Sequence, residues 1–449
     1  MKYRVNKSIK YMAVLITFSV FLSIINFDPA PVYASAPKDI PAPAMIALDK
    51  ARKHMDRKEY DRAIEILESF ESRGKKIPDR GKIGPRGYHH PMVYFFMGNC
   101  FLMKKDFTPA QKCYSRAIEV DPGFTGAWLN LARVHYELKN FEKSAQCFMN
   151  AYENSVPQNP ETLYCCAVGH LMAEQYEASI SVFLKIFKDH PKVVTLRWKE
   201  NYVRALIGAD RSREALPLIQ ELAEKSEGET KRRWREMLIH QYLRLDMNAE
   251  ALAYAVRLSR IDCTDAKWWK AVVHIQLSEG HYREALSALT IYGYLTPFTI
   301  EEKKLYADLN LQLDIPAQAA DKYNEIIAST PDDKILKNLV TAYRKQDQYS
   351  EALDLLSRYP ACSENADILM LKADLLYSLK KYSEARETYQ QAAKKKKQKA
   401  GRAWLMAGYA AWQCRDINGS KAAFEIASKD SDNHSAALLA LEELGRIRQ

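Results

Sequence analysis

The sequence predicts an all-α protein, a right-handed superhelical solenoid of antiparallel helix hairpins. Three observations predict it. A frame of large and small residues returns about every 34 residues from Pro91 almost to the C-terminus. Within each period small residues hold two fixed places, and Pro closes many of the copies. The composition, 47% hydrophobic and 27% charged, suits a folded helical chain.

One copy of the frame reads Tyr94, Met97, Gly98, Phe101, Ala110, Tyr114, Ala117 and Pro122. It returns as Trp128, Leu131, Ala132, Ser144, Phe148 and Ala151, and as Trp269, Val273, Ala285, Leu289 and Pro297. It returns again as Trp404, Gly408, Ser420, Phe424 and Ala427. Small residues such as Gly98 and Ala110 fall where two helices cross, because a larger side chain would push the axes beyond roughly 8–10 Å. Tyr94, Phe101 and Tyr114 fill the space around that crossing. Pro122 follows Asp121, at a place from which an interior helix position is excluded. One hairpin cannot bury its apolar face alone, so stability comes from stacking neighbours. This period, with its large, small and Pro positions, resembles the tetratricopeptide repeat. The resemblance implies a scaffold that holds other proteins.

The elements follow in order. Residues 1–34 read as a secretory signal. Lys2, Arg4, Lys7 and Lys10 precede the apolar run 12–25, which is too short to span a bilayer comfortably. Val32-Tyr33-Ala34 offers a cleavage site after Ala34. A cut after Ala36 is a second option, which Pro37 disfavours. The alternative is an uncleaved inner-membrane anchor. No Cys stands at the cleavage site and no Arg pair precedes the run, so the sequence predicts export to a periplasm. Removing 1–34 takes away four positive charges and one negative, leaving about +7 of the formal +10. That balance favours acidic partners or anionic surfaces and makes no case for nucleic acid.

Residues 35–43 are rich in Pro and Ala and read as a linker. Residues 44–73 read as a first hairpin, with Ala63, Leu67 and Phe70 on its apolar face. Residues 74–90 interrupt the pattern with four Gly, two Pro and five Lys or Arg. They read as a solvated loop, or as a contact loop inserted in a regular scaffold. No Gly-Lys-Ser/Thr follows, so phosphate binding is rejected. The array of about ten repeats covers 91–434. Its copies start near Pro91, Thr125, Pro160, Leu196, Arg232, Ala266, Ile300, Asp333, Ala366 and Gly401. The copies at Leu196 and Arg232 are degenerate: they keep Ala215 and Ala251 and lack the closing Pro. Residues 435–449 read as a C-terminal helix capping the last open face.

Of the eight Cys, Cys113 and Cys147 occupy one place in consecutive repeats, and Cys166 falls at a packing position. They read as small buried hydrophobes, so repeat packing rather than disulfides is expected to hold the fold. No spacing fits a zinc site, and the neighbours His89 and His90 make a poor chelate. The run Lys394 to Lys397 reads as a solvated turn, or as a contact for acidic headgroups or an acidic partner. There is no HExxH, P-loop, GxSxG or dinucleotide motif. The sequence therefore predicts a non-enzyme with no cofactor, no metal and no small-molecule substrate.

In this architecture the first helices line a concave groove. Read from the frame, its partner-facing residues are Asn99, Arg133, Tyr136, Tyr164, Arg204, His240, Lys270, His274 and Tyr409. Arg offers forked bonds to carboxylates and Tyr a rigid apolar face, so an extended acidic or aromatic segment would fit. The side chains of Arg133, Tyr136, Tyr164 and Arg204 are expected to point away from the repeat interfaces. Some tetratricopeptide domains clamp a C-terminal carboxylate with Lys and Asn on one helix. Here Asn99 is present, but Phe95 stands in the place of the Lys, so that mode is expected to be absent.

A narrower resemblance covers residues 268–430. Trp268-Trp269, Tyr282, Ala285-Leu286, Leu305-Tyr306, Ile315-Pro316 and Ala319-Ala320 carry it, with residues 401–406, Gly408-Tyr409-Ala410 and 421–424 near the end. The stretch resembles exported repeat proteins encoded beside TonB, ExbB and ExbD energy-transduction genes of Gram-negative bacteria. It implies an accessory role in outer-membrane transport, with a TonB/ExbB/ExbD-type complex as partner. The alternative is an assembly factor for exported polysaccharide, pili or outer-membrane proteins.

Overall fold

The computed structural model describes residues 39–76, 86–359, 365–396 and 400–446. The signal segment with its cut after Ala34, loop residues 77–85, Cys362 and Lys397 lie outside them. Among the described residues the secondary structure is helical and no strand occurs. None of their helices is long and apolar enough to cross a membrane.

The chain divides into two units, Met1–Met247 and Asn248–Gln449. The first holds α1 (Ala42–Asp56), α2 (Tyr60–Lys76), α3 (Pro91–Met103), α4 (Phe107–Val120), α5 (Thr125–Glu137), α6 (Phe141–Glu153), α7 (Pro160–Met172), α8 (Tyr176–Asp189), α9 (Leu196–Gly208), α10 (Ser212–Lys225) and α11 (Gly228–Arg244). The second holds α12 (Asn248–Ile261), α13 (Ala266–Ser278), α14 (Tyr282–Leu295), α15 (Ile300–Gln312), α16 (Pro316–Ser329), α17 (Asp333–Arg344), α18 (Tyr349–Arg358), α19 (Ala366–Ser378), α20 (Tyr382–Lys395), α21 (Gly401–Gln413), α22 (Ile417–Ala427) and α23 (His434–Arg446). Odd-numbered helices up to α21 are first helices and even-numbered ones second helices.

Nine of the ten starts read from the frame coincide with the first residue of a first helix. The exception is Arg232, because α11 begins four residues earlier at Gly228. The opening of α11, Gly228 to Lys231, is polar and carries none of the frame's apolar markers. Helix α2 runs to Lys76, three residues into the stretch read as a loop. The far end of that stretch is packed rather than solvated. Tyr88 is buried against Phe70, with ring centroids 5.0 Å apart. Buried His90 caps α3, its Nδ1 accepting from the Met92 backbone at 3.2 Å, while Pro91 takes the first helical position.

The repeat is written in the backbone as well. Each first helix ends on a left-handed residue: Lys58, Lys105, Lys139, Glu174, Asp210, Asp246, Gly280, Asp314, Asp347, Lys380 and Arg415. From Lys105 onward they recur every 33 to 36 residues. After α3 the Lys105 N–H donates to the Leu102 carbonyl and the Asp106 N–H to the Phe101 carbonyl, both at 2.9 Å. Those are the paired bonds of a Schellman ending, which satisfy carbonyls the helix itself leaves open. The same longer bond closes α5 from Asn140 to His135 at 2.8 Å and α19 from Lys381 to Leu376 at 2.9 Å.

Inside the hairpins, volume is exchanged across the crossing. A Cβ on Gly98 would stand 2.7 Å from the Tyr114 ring, and one on Gly408 2.4 Å from Phe424. In the same register Ala132 precedes Phe148, Ala167 precedes Phe183, Ala307 precedes Tyr323 and Ala373 precedes Tyr389. All six rings are fully buried; each Phe contributes about 1.5–3 kcal/mol. Where the first position enlarges, the second loses its ring: Val203 with Ile219, Val273 with Leu289, Val340 with Leu356.

Every one of the six aromatic hairpins adds a hydroxyl bond between its helices. Tyr114 donates to Asn99 Oδ1 at 2.7 Å, Tyr389 to Asp374 Oδ1 at 2.6 Å, and Tyr323 to Asp308. The Phe hairpins use a buried serine instead. Ser144 donates to the Ala132 carbonyl and Ser179 to that of Ala167, both at 2.8 Å, and Ser420 to that of Gly408 at 2.9 Å. The last helix, α23, shares a buried cluster with Phe424 and Ala427 through Ala437, Ala440 and Leu444.

Cys100, Cys147, Cys165 and Cys166 are buried and Cys113 is half-buried, and burial pushes all five thiols up to about 12. The buried reading does not extend to Cys263 and Cys414, which are exposed. These seven are free thiols.

Candidate protein-binding faces of the first helices

First helices of successive hairpins lie side by side: α1, α3 and α5, and α7 with α9, in the first unit, and α15, α17 and α19 in the second. Their shared face is the one on which the sequence reading placed a partner segment. The structure shows that many side chains on it already have a task.

A ladder of polar contacts joins neighbouring first helices. In the first unit the Asn130 amide donates to Asn99 Oδ1 at 2.8 Å and the Asn201 amide to the Tyr164 hydroxyl at 2.7 Å. The Trp234 indole donates to Glu200 at 3.3 Å. In the second unit Lys270 donates to Glu302 Oε1 at 2.8 Å, and Asn338 to Asp308 at 3.2 Å. Such bonds fix the register between repeats, where apolar packing alone would allow sliding.

Three predicted residues are therefore rungs. Asn99 accepts from both Tyr114 and Asn130. Tyr164 was expected to point away from the repeat interfaces, and this is corrected: it is 3% exposed. Its ring stacks on Trp198 of the next repeat, centroids 4.8 Å apart and planes within 10°. Burial pushes its phenol above the usual range. Lys270 belongs to a small network, 5.6 Å over the Tyr292 ring, whose hydroxyl also donates to Glu302 Oε1 at 3.0 Å. Burial pushes Glu302 up, but Lys270, the Thr299 backbone N–H and Tyr292 outweigh it and hold its carboxyl below the usual range. His274, one turn along α13, is half-buried; burial and then Lys270 push its imidazole down, against the pull of Glu302.

The other candidates are less committed. Arg133 is half-buried and makes no ion pair among the described residues. Tyr136, one turn on, meets Phe141 edge-on at 5.4 Å. Arg204 donates to Asn201 Oδ1 at 3.3 Å. His240 is exposed. Tyr409 stacks on Trp412 at 6.5 Å and meets Phe424 edge-on at 5.1 Å. Arg133 with Tyr136 on α5, and Lys270 with His274 on α13, share a helix. The rest sit on separate helices. Six of the nine belong to the first unit and Lys270, His274 and Tyr409 to the second.

A charged cleft in the second unit was missed. Lys337 and Arg344 on α17 face Asp367 and Asp374 on α19, with Met370 between the acids and Arg402 on α21. The signal was present as two cations on α17 and two acids on α19, each pair seven residues apart.

The tetratricopeptide repeat family matches residues 104–160 and 337–402. The chain thus carries tetratricopeptide repeats in both units. The Hsp70-Hsp90 organising protein of Plasmodium falciparum (isolate 3D7) is 29% identical over 94 residues, 20% of this chain and 17% of that protein. The chain so spans about a sixth of that curated relative's length. Among solved structures, the complex of Naa15/Naa10 bound to HypK-THB is similar over 85% of this chain and 67% of the matched chain, at 13% identity and a TM-score of 0.39. A tetratricopeptide repeat protein from Parabacteroides merdae ATCC 43184 is similar over 66% of this chain and 98% of its own, at 14% identity and a TM-score of 0.31.

Proposed function

We propose that this chain is a non-catalytic scaffold that holds protein partners on the first-helix faces of its repeats, and that it is an exported accessory of a TonB-type energy-transduction system. One observation carries the scaffold reading. On a single face the ladder residues bind neighbouring repeats, while Arg133, Tyr136 and His240 remain for something else. Repeat packing supplies the rigidity, and the left-over cation and aromatic groups supply contact chemistry. The similarity to a protein named for organising two chaperones supports protein binding by such a stretch. Export rests on the basic start and short apolar run of residues 1–25. The TonB assignment rests on the resemblance of residues 268–430.

Fractionation with N-terminal sequencing tests export. The expected mature chain begins at Ser35 outside the cytoplasm, and a cytoplasmic chain beginning at Met1 overturns it. Cross-linking in the periplasm followed by mass spectrometry tests the partner. TonB, ExbB or ExbD components are expected, and components of polysaccharide, pilus or outer-membrane protein assembly would favour the other reading. For the face itself, Arg133→Glu should weaken a captured acidic partner, and less so at high salt, because exposed charges are screened within about 8–10 Å. Unchanged binding removes α5 from the site.

A further inference from the structure

We infer that the second unit carries its own binding cleft, across α17, α19 and α21, for an internal segment of a protein partner that alternates acidic and apolar side chains. The inference rests on the scaffold reading above and deepens it by naming the site and the chemistry it takes.

Four cations gather around two carboxylates. Asp367 lies between the ammonium groups of Lys337, at 3.3 Å, and Lys396, at 3.2 Å. Bonds from Lys396 and Lys337 hold its carboxyl below the usual range. Asp374 is mostly buried, and its partner is internal: the Tyr389 hydroxyl at 2.6 Å. The Arg344 guanidinium stands 3.9 Å from Asp374, too far for a hydrogen bond. Arg344 makes no side-chain hydrogen bond among the described residues, and Arg402 is exposed with no ion pair among them. The acids are satisfied while two guanidinium forks, on α17 and α21, stay open. The cleft so carries an excess of two positive charges.

Between the cations lie Met370 and Leu371, both half-buried. They give an apolar strip beside the open forks, and the methionine adapts its shape to what it meets. A guanidinium takes a carboxylate in a two-bond fork. An acidic and an apolar residue side by side in the segment supply one group for a fork and one for the strip. Asn338, the amide nearest in register, is already committed to Asp308 and Tyr323. The open donors of the cleft are therefore all cationic, and the ligand group assigned to them is a side-chain carboxylate within the segment, not a chain terminus.

The test uses the full-length mature chain and three probes: an acetylated and amidated hexapeptide alternating Glu and Leu, its Gln-for-Glu counterpart, and that counterpart with a free C-terminal carboxylate. Calorimetry at two salt concentrations reads affinity. The amidated Glu peptide should bind at least about tenfold more tightly than either Gln peptide, with affinity falling as salt rises. Arg402→Gln, at an exposed position, should weaken it several-fold, and Arg344→Gln with Arg402→Gln by about tenfold or more. Circular dichroism melting confirms that the variants are folded, and if the double variant is not, Arg402→Gln alone decides. Equal binding by the variants, preference for the free terminus, or no binding of the Glu peptide overturns the cleft. Partners captured by the parent chain in the cross-linking experiment would still leave the scaffold reading standing.

Discussion

Hairpins α3/α4 and α13/α14 build the same crossing from opposite volumes. In the first, Gly98 lets the Tyr114 ring lie on the backbone, and the ring's hydroxyl reaches Asn99 at 2.7 Å. In the second, Val273 and Leu289 share the space, both 2% exposed, and neither they nor Ala285 has a hydroxyl to offer. The difference teaches that the repeat preserves the filled space at the crossing, while the residue at either position is free to change if the other compensates. The aromatic version adds a polar lock. The aliphatic version has no such lock at the crossing itself, and it is the version of α9/α10, whose copy of the frame reads as degenerate and whose helices are joined by Lys199 and Glu221 at 2.7 Å instead.

The sharpest way to break this comparison is to overfill one version and not the other. Gly98→Leu and Gly408→Leu should each cost about 1–3 kcal/mol, because the new side chain meets a ring that cannot withdraw. Val273→Leu should cost less than about 1.5 kcal/mol, since its neighbours are flexible aliphatics. Denaturant midpoints at unchanged slope would measure both. Equal losses in the two hairpins would show that the crossings do not differ.

Removing the locks is the next test. Tyr389→Phe leaves the mostly buried Asp374 without its donor and should cost about 1–3 kcal/mol. Ser179→Ala should cost about 0.5–1.5 kcal/mol, because the Ala167 carbonyl keeps its helical bond. Installing a serine in the aliphatic hairpin, Ala285→Ser, should change stability by less than about 1 kcal/mol, since a carbonyl lies twelve residues back in the lock's register. A large loss there would mean that the aliphatic crossing has no room for the bond.

Acidity tests the packing around buried His90 and His135 and half-buried His274. Burial pushes His90, His135 and His274 below the ordinary imidazole value of 6.5. The unfolded chain then takes up protons before the folded one does, so stability falls as pH drops below about 6.5 and is level above it. Thermal midpoints measured from pH 8 to pH 5 check this. A flat profile, or one that rises toward acid, contradicts the burial of these rings.

The smallest effect concerns the turns. Lys139→Gly and Lys380→Gly place glycine at left-handed positions, with φ of 58° and 59°. Each should stabilise by several tenths to about 1 kcal/mol. Gly280→Ala, with φ of 79°, should lose a similar amount.

The hairpins were legible because the frame is a steric requirement. A residue such as Gly98 or Gly408 has one acceptable size next to a ring, and the sequence states that size directly. The start of α11 was misplaced because a polar first turn carries no such requirement. The binding faces were less legible. Periodicity says which side of a helix a residue occupies, and so placed Asn99, Tyr164 and Lys270 on the shared face of the first helices. It does not say whether the next repeat has already taken the side chain. Asn130, Trp198 with Asn201, and Glu302 have done so, each from the following first helix. The α17–α21 cleft escaped notice for the converse reason. Lys396 belonged to a run read as a solvated turn, and nothing in the frame singled out Lys337, Arg344 or Arg402 until Asp367 and Asp374 were seen to take up only part of the donor capacity of these cations.

The most direct test of volume exchange is a double-mutant cycle at one crossing. Gly98→Val and Tyr114→Leu together convert α3/α4 to the pattern of α13/α14. Each single change should destabilise, the first by overfilling against the ring and the second by emptying the space beside a glycine. Combined, they should lose less than the sum of the two, with a coupling of about 1 kcal/mol or more. Strictly additive losses would show that the two positions do not share one space, and that the repeat is not built on exchanged volume.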